Sequence, residues 1–236
     1  MAALERYFMA KGYAVAGYDR TPSELTDHLA AEGARISFVD DVEQAIPAEF
    51  RDPKETLVVY TPAIPADNHV LSYFRDNGFE VVKRAAVLGR VTHESRGICF
   101  AGTHGKTTTS SLAAHILHNC KADCNAFLGG VLRNYDSNFL LAPESPWSVI
   151  EADEFDRSFH HLRPWIAVVT STDPDHLDIY GTEEAYLESF AHFTSLVQPG
   201  GALVVHEGLK LKPRPQDGGK AVSYTHLRAH ETAANL

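Results

Sequence analysis

The stretch that most narrows what this chain can become runs from Ile98 to Leu117. Ile98 to Ala101 is a short apolar run that reads as a buried strand, and Leu112, Ala113, Ile116 and Leu117 then recur at helical spacing. Between them stand Gly102-Thr103-His104-Gly105-Lys106-Thr107, followed by Thr108 and Thr109. A strand that passes through a glycine turn into a helix implies a parallel α/β arrangement. The turn aims unpaired backbone N–H groups outward, and the start of the helix attracts anions through those donors and its dipole. Lys106 is therefore expected to reach the outer phosphates of a nucleotide, and Thr107 to offer its hydroxyl to Mg2+. Phe100 stands five residues before Gly105, where the general phosphate-loop pattern has glycine, so the loop is a short variant. Lys106 is read as lying at an exposed helix start on which no core packing depends. The competing reading is a helix start with no ligand.

The rest of the chain alternates short apolar strands with helical stretches, the pattern of a parallel sheet covered by helices. The first part reads as a helix over 1–11, strands over 13–18 and 36–39 with a helix over 23–32 between them, and a strand over 56–60. A helix over 66–77, a strand over 79–82 and a helix over 84–91 follow. Residues 92–97 are polar, and a domain boundary is placed there, giving units 1–95 and 96–222. The second unit continues with strands over 147–152, 166–171 and 202–206 and a helix over 183–196. The fold class is α/β: a Rossmann-like first domain lacking its first strand, then a partial parallel-sheet domain of the phosphate-loop ATPase type.

Charge and cysteine usage exclude some partners. A formal net charge of -10 argues against nucleic acid and anionic membrane surfaces, which select basic patches. No apolar run approaches a membrane span and no charged-then-apolar leader opens the chain. Cys99, Cys120 and Cys124 form no CxxC pair, so free thiols in a reducing compartment are expected, and the location is read as cytoplasmic.

Four polar groups sit at expected strand ends, where open α/β sheets bind ligands. Asp19 is placed where a Rossmann half puts the acidic residue that contacts a ribose, although an aspartate there also suits a turn. Thr61-Pro62-Ala63-Ile64-Pro65 forms a rigid loop after a strand, or a simple turn. Glu151-Ala152-Asp153-Glu154-Phe155-Asp156 packs four carboxylates into six residues. Such a run is either a solvated acidic loop or, one strand beyond a phosphate loop, a set of Mg2+ ligands. Asp173-Pro174-Asp175-His176-Leu177-Asp178 is again either a surface group or part of the same crevice.

Three of these motifs together, Gly102 to Thr109, Glu151-Ala152-Asp153-Glu154-Phe155-Asp156-Arg157-Ser158-Phe159 and Asp175-His176-Leu177-Asp178-Ile179-Tyr180, resemble those of the Mur ligases in order and spacing, over residues 1–222. The resemblance implies a UDP-sugar domain, an ATP domain and a third domain. Within the family the motifs lie nearest the branch that joins L-alanine to the lactyl carboxylate of UDP-N-acetylmuramate through an acyl phosphate, in peptidoglycan precursor synthesis. It further implies that Gly102, Thr103, His104, Gly105, Lys106, Thr107 and Thr108 bind ATP and that Thr107, Glu151 and His176 hold magnesium ions. Lys106, Glu151 and His176 are then the catalytic set, acting by charge neutralisation and positioning. Asp19, Thr61, Ala63, Ile64 and His104 are expected to contact the UDP-sugar.

The sequence also departs from the family. The family usually opens with a strand and a glycine-rich loop ending in Gly-Met, and this chain reads as starting at that methionine. Ser171 stands where the family often has asparagine. The later part of the ATP domain and the third domain are not seen, so the 236-residue piece is expected to be inactive as a ligase. Residues 223–236 fit neither the family nor a periodic element; they resemble translated sequencing-adapter read-through and are read as a non-native tail. Two other functions stay open: the branch that recycles murein tripeptide, which shares two of the motifs, and a non-catalytic nucleotide-binding module.

Overall fold

The computed structural model describes residues 1–216 and 220–224, and the chain divides into two units, Met1–Val87 and Leu88–Leu236. In the first unit, α1 (Ala2–Ala10) buries Ala2, Ala3, Leu4 and Tyr7. β1 (Ala16–Tyr18) is joined to β2 (Arg35–Ser37) through α2 (Glu24–Ala31). Ser23 and Thr26 close a reciprocal capping box at the start of α2, satisfying amides that the helix itself leaves unpaired. Ala2, Leu29 and Ala34 form a small apolar cluster with Met9, Val15 and Ile36, so α1, α2 and β2 share one seam.

The short helix α3 (Val42–Ala45) leads to β3 (Leu57–Tyr60), α4 (His69–Asp76) and β4 (Glu80–Lys83). Asp40 accepts hydrogen bonds from the amides of His69 (3.1 Å) and Val70 (3.0 Å) and from Asn68 Nδ2 (2.8 Å). Burial alone would raise the pKa of this carboxyl, but those amide donors outweigh it and the net shift is downward. The unit thus contains two parallel β-α-β pairs, β1–β2 and β3–β4, each a separate two-stranded sheet among the described residues.

The second unit holds the site. Its sheet has the order β11-β10-β9-β5-β8-β6-β7. These strands are β5 (Arg96–Ala101), β6 (Asn125–Leu132), β7 (Ser137–Leu140), β8 (Trp147–Glu151), β9 (Ile166–Val169), β10 (Ala202–His206) and β11 (Lys220–Tyr224). Pairing is parallel except between β6 and β7. The helices are α5 (Arg84–Glu94), α6 (Lys106–His118), α7 (Leu177–Tyr180) and α8 (Glu183–Ser195). The core beneath α6 joins Phe100, Ala114, Cys124, Ala126, Leu128, Leu140, Val149 and Val168. Tyr186, Phe190 and Phe193 of α8 are fully buried, with Phe159 stacked on Phe193. Three strands end together, because β5 lies between β8 and β9: the chain fills the β8–β6–β7 side first and then crosses to β9. This reversal is the switch point of an open sheet, where a crevice opens at the carboxyl ends.

The structure moves several boundaries. Residues 92–97, where the domain boundary was placed, are helical to Glu94 and strand from Arg96, and the break between compact units falls inside α5, between Val87 and Leu88. β6 and β7 form a hairpin that no sequence signal marked. β11 reaches Ser223 and Tyr224, the first two residues of the segment read as a tail, and the remainder of that segment, 225–236, lies outside the described residues. Cys99, Cys120 and Cys124 are unpaired thiols. No helix among the described residues is long and apolar enough to cross a membrane.

Candidate nucleotide site

The loop between β5 and α6 is shaped from outside as much as by its own sequence. Gly102 has φ +140° and Gly105 has φ +82°, both in the region that side chains disfavour. A Cβ at Gly102 would lie 2.2 Å from Thr170 Oγ1 and 2.8 Å from the Ser171 amide nitrogen. Thr170 Oγ1 donates to the carbonyls of His104 (2.6 Å) and Ala101 (3.2 Å). The His104 amide donates to Ser171 Oγ (2.7 Å), and that of Thr103 to the Ser171 carbonyl (3.3 Å). Thr103 Oγ1 donates to the Asp173 carbonyl (2.6 Å) and meets Tyr186 OH at 2.8 Å. Burial pushes the Tyr186 hydroxyl up to about 12, so it stays protonated in this contact. The residues just after β9 thus hold the loop from one side, and Ser171 supplies its own polar contact where the family often has asparagine. The amides of Thr103 and His104, expected to face phosphate, are engaged with Ser171, while the His104 side chain is exposed.

Lys106 is not the free cation that the sequence suggested. Its Nζ donates to the Gly102 carbonyl (2.7 Å) and to Glu154 Oε1 (2.9 Å), and its side chain is 16% exposed. Glu154 is the partner that sequence reasoning missed: its side chain is 2% exposed and its Oε2 has no hydrogen-bond partner. Burial raises the pKa of this carboxyl, and the Lys106 contact opposes but does not overcome the shift. The expectation that no packing depends on Lys106 is therefore corrected.

Across the crevice, Thr107 Oγ1 donates to Glu151 Oε1 (2.9 Å), and the Gly129 amide donates to Glu151 Oε2 (2.8 Å). Gly129 and Gly130, in β6, make that arrangement possible. A Cβ on the first would lie 2.6 Å from Glu151 Oε1, and one on the second 2.9 Å from the Thr107 methyl carbon. The other two acids of the run turn elsewhere. Asp153 Oδ1 accepts from the Phe155 amide (3.0 Å), and Asp156, with φ +50°, accepts from Ser158 Oγ.

His176 caps α7 in a left-handed conformation, φ +52°. Its ring stands edge-on to Phe155 at 5.2 Å, and its Nε2 is 3.8 Å from Asp175 Oδ2. Glu151 ends β8 and His176 follows β9, both at the carboxyl edge beside β5, and the Phe155 contact joins their two loops. Among the described residues no three His, Cys, Asp or Glu side chains form a metal cage. The pairing of a hydroxyl with a carboxylate suits Mg2+, which takes one or two protein oxygens and completes its shell from phosphate and water.

In the first unit, Asp19 follows β1. Its Oδ1 accepts from the Thr21 amide (3.1 Å), the turn alternative weighed above. Thr61 and Ile64, joined by an amide-to-carbonyl bond of 3.2 Å, are half-buried after β3, and Ala63 is exposed. These residues stand at the carboxyl ends of their own strand pairs.

The Mur ligase family catalytic domain matches residues 1–96, and the Mur ligase middle domain matches residues 100–233, more than half of the chain. The UDP-N-acetylmuramate–L-alanine ligase of Phocaeicola vulgatus is 58% identical over 236 residues, 100% of this chain and 51% of its own length. That of Parabacteroides distasonis is 59% identical over 225 residues, covering 95% of this chain and 48% of its own. The chain spans about half the length of these curated relatives. Among solved structures, a murein peptide ligase from Psychrobacter arcticus superposes with TM-score 0.74 at 26% identity, over 89% of this chain and 47% of that one. The UDP-N-acetylmuramate-alanine ligase of Thermotoga maritima gives TM-score 0.74 at 24% identity, over 94% and 50%, a likeness of fold.

Proposed function

Because this chain belongs to the Mur ligase family, we propose that it is the UDP-sugar-binding and ATP-binding portion of a cytoplasmic ligase that joins L-alanine to UDP-N-acetylmuramate. The observation that carries this reading is the contact of Thr107 with Glu151 beside the Lys106 loop, at the point where β5, β8 and β9 end. It brings a phosphate-binding cation, a hydroxyl and a carboxylate to one crevice. The 58% and 59% identities to UDP-N-acetylmuramate–L-alanine ligases support alanine as the amine.

Lys106 and the amides that begin α6 would hold the β- and γ-phosphates of ATP. The lactyl carboxylate oxygen would attack the γ-phosphorus and ADP would leave, giving the acyl phosphate. The alanine amine would then attack the acyl carbon, inorganic phosphate would depart, and the amine would lose a proton. Thr107 and Glu151 would hold Mg2+, with His176 offering an imidazole nitrogen to a second ion; such ions neutralise charge on the transferred phosphoryl group. The chain itself contributes position and charge rather than a nucleophile. Asp19, Thr61, Ala63 and Ile64 remain the proposed UDP contacts of the first unit, and His104 a proposed contact to the sugar.

The test is turnover by the complete gene product with ATP, Mg2+ and UDP-N-acetylmuramate, offered either L-alanine or the murein tripeptide. ADP release should require L-alanine, and preference for the tripeptide would transfer the chain to the recycling branch. In the same assay Glu151→Gln should lower kcat about 100-fold or more, the scale of losing one electrostatic contact to the transition state. It should also raise the Mg2+ concentration needed for half-maximal rate. An unchanged Mg2+ dependence would remove Glu151 from the metal site.

A further inference from the structure

We infer that Glu154 is the resting partner of Lys106, a buried carboxylate that holds the lysine side chain down until nucleotide phosphate draws it away. The inference deepens the nucleotide-site reading and rests on it. Three observations carry it. Lys106 Nζ spends one donor on the Gly102 carbonyl, inside the loop that would wrap the phosphate, and another on Glu154 Oε1, which comes from the separate segment after β8. The Glu154 side chain is 2% exposed, so no water shell substitutes for the lysine. Its Oε2 is buried without a partner, leaving the lysine as the only side chain seen to bond this carboxylate among the described residues.

A phosphate bound at the loop competes for the same ammonium. As Lys106 turns to it, Glu154 is left as a buried charge with a second anion nearby, a state that neutralises by taking up a proton. The other groups coupled to Glu154 do not replace the lost cation. Asp153, on its own segment, is an anion, while Tyr180 of α7 and Tyr186 of α8 are phenols whose pKa values burial raises. The Tyr180 hydroxyl is already committed to the Glu154 backbone carbonyl. Glu154 is thus a positioning residue that acts through Lys106. The sign follows: if binding takes up a proton, nucleotide affinity weakens as pH rises through the range in which Glu154 titrates.

The test is calorimetric titration of the protein near neutral pH with Mg2+ and a non-hydrolysable ATP analogue, in two buffers of different ionisation enthalpy. Wild type should take up more protons on binding than Glu154→Gln, which keeps the side-chain volume and an acceptor for Lys106 but cannot ionise. The variant should also bind about tenfold tighter, equivalent to about 1.4 kcal/mol. Glu154→Met, filling the same space without charge, should shift both readouts in the same direction. Equal proton counts in wild type and both variants, or affinity unchanged or weaker in both, would overturn the inference while leaving the nucleotide site in place. Wild type that binds no analogue would overturn the nucleotide-site reading and this inference with it.

Discussion

Lys106→Ala should abolish measurable nucleotide binding and, as a separate effect, destabilise the second unit. The first loss is that of a charge-assisted contact to phosphate, on the order of 2 kcal/mol or more. The second arises because Glu154, 2% exposed, is then buried without a cation. Removing one partner of a buried pair costs up to roughly 3–5 kcal/mol while the other stays ionised. Protonation of Glu154 relieves part of that loss. In wild type its pKa is already raised by burial, and without the lysine only the bond from its own backbone amide opposes that shift. The folded variant therefore holds its proton to higher pH than the unfolded chain does, so its stability grows as pH falls and shrinks as pH rises. Denaturant unfolding at several pH values should show a deficit that is small in acid and large at neutrality. Adding Glu154→Gln should remove most of the deficit without restoring nucleotide binding. Calorimetry showing wild-type nucleotide affinity in Lys106→Ala would sink the assignment of the loop.

Gly102→Ala is expected to be nearly as damaging, through geometry alone. At φ +140° a non-glycine residue is strained by roughly 1–3 kcal/mol. The new methyl would also meet Thr170 Oγ1 at 2.2 Å and the Ser171 nitrogen at 2.8 Å. The hydroxyl can rotate away only by giving up its bonds to the His104 and Ala101 carbonyls, and the backbone nitrogen cannot withdraw at all. A loss of about 3 kcal/mol or more in unfolding free energy should accompany a loop that no longer presents Lys106 correctly. Turnover should fall by about 100-fold or more, because a misplaced binding group forfeits orientation as well as contact. A variant with wild-type stability and rate would mean that the loop does not have this shape.

The features legible in the sequence were those in which local pattern and tertiary role agree. The strand ending at Ala101, the two loop glycines and the helix from Lys106 form the expected unit, and the strand over 202–206 has the expected bounds. Glu151 does meet Thr107. The hairpin β6–β7 drew no strand reading, and two adjacent glycines, Gly129 and Gly130, stand inside its first strand. Those glycines are needed in a strand here, since the carboxylate of Glu151 and the methyl of Thr107 occupy the space a side chain would fill. Glu154 was also missed. Four acids in six residues look like a solvated loop, and nothing in their order says that the third of them turns inward to meet a lysine 48 positions earlier. Residues 92–97, polar in sequence, continue a helix to Glu94 and open a strand at Arg96, because helical hydrogen bonding runs through polar residues when the far side is packed. Thr92, fully buried, receives the Arg163 amide at 2.9 Å.

The engagement of the loop by Thr170 and Ser171 also sets its dynamics. A segment whose carbonyl and amide groups are fastened to the neighbouring strand end cannot sample open shapes by itself on the nanosecond scale usual for exposed loops. It moves when several bonds to the end of β9 release together, a small cooperative opening. Amide hydrogens of Thr103 and His104 should then exchange slowly and at similar rates despite lying at the surface, because both donate to Ser171. Ser171→Ala removes the hydroxyl that the His104 amide meets and should speed exchange at His104 most. For a phosphate that needs those amides, entry is gated by that release, so association of nucleotide should be slower than diffusion and quickened by the same substitution.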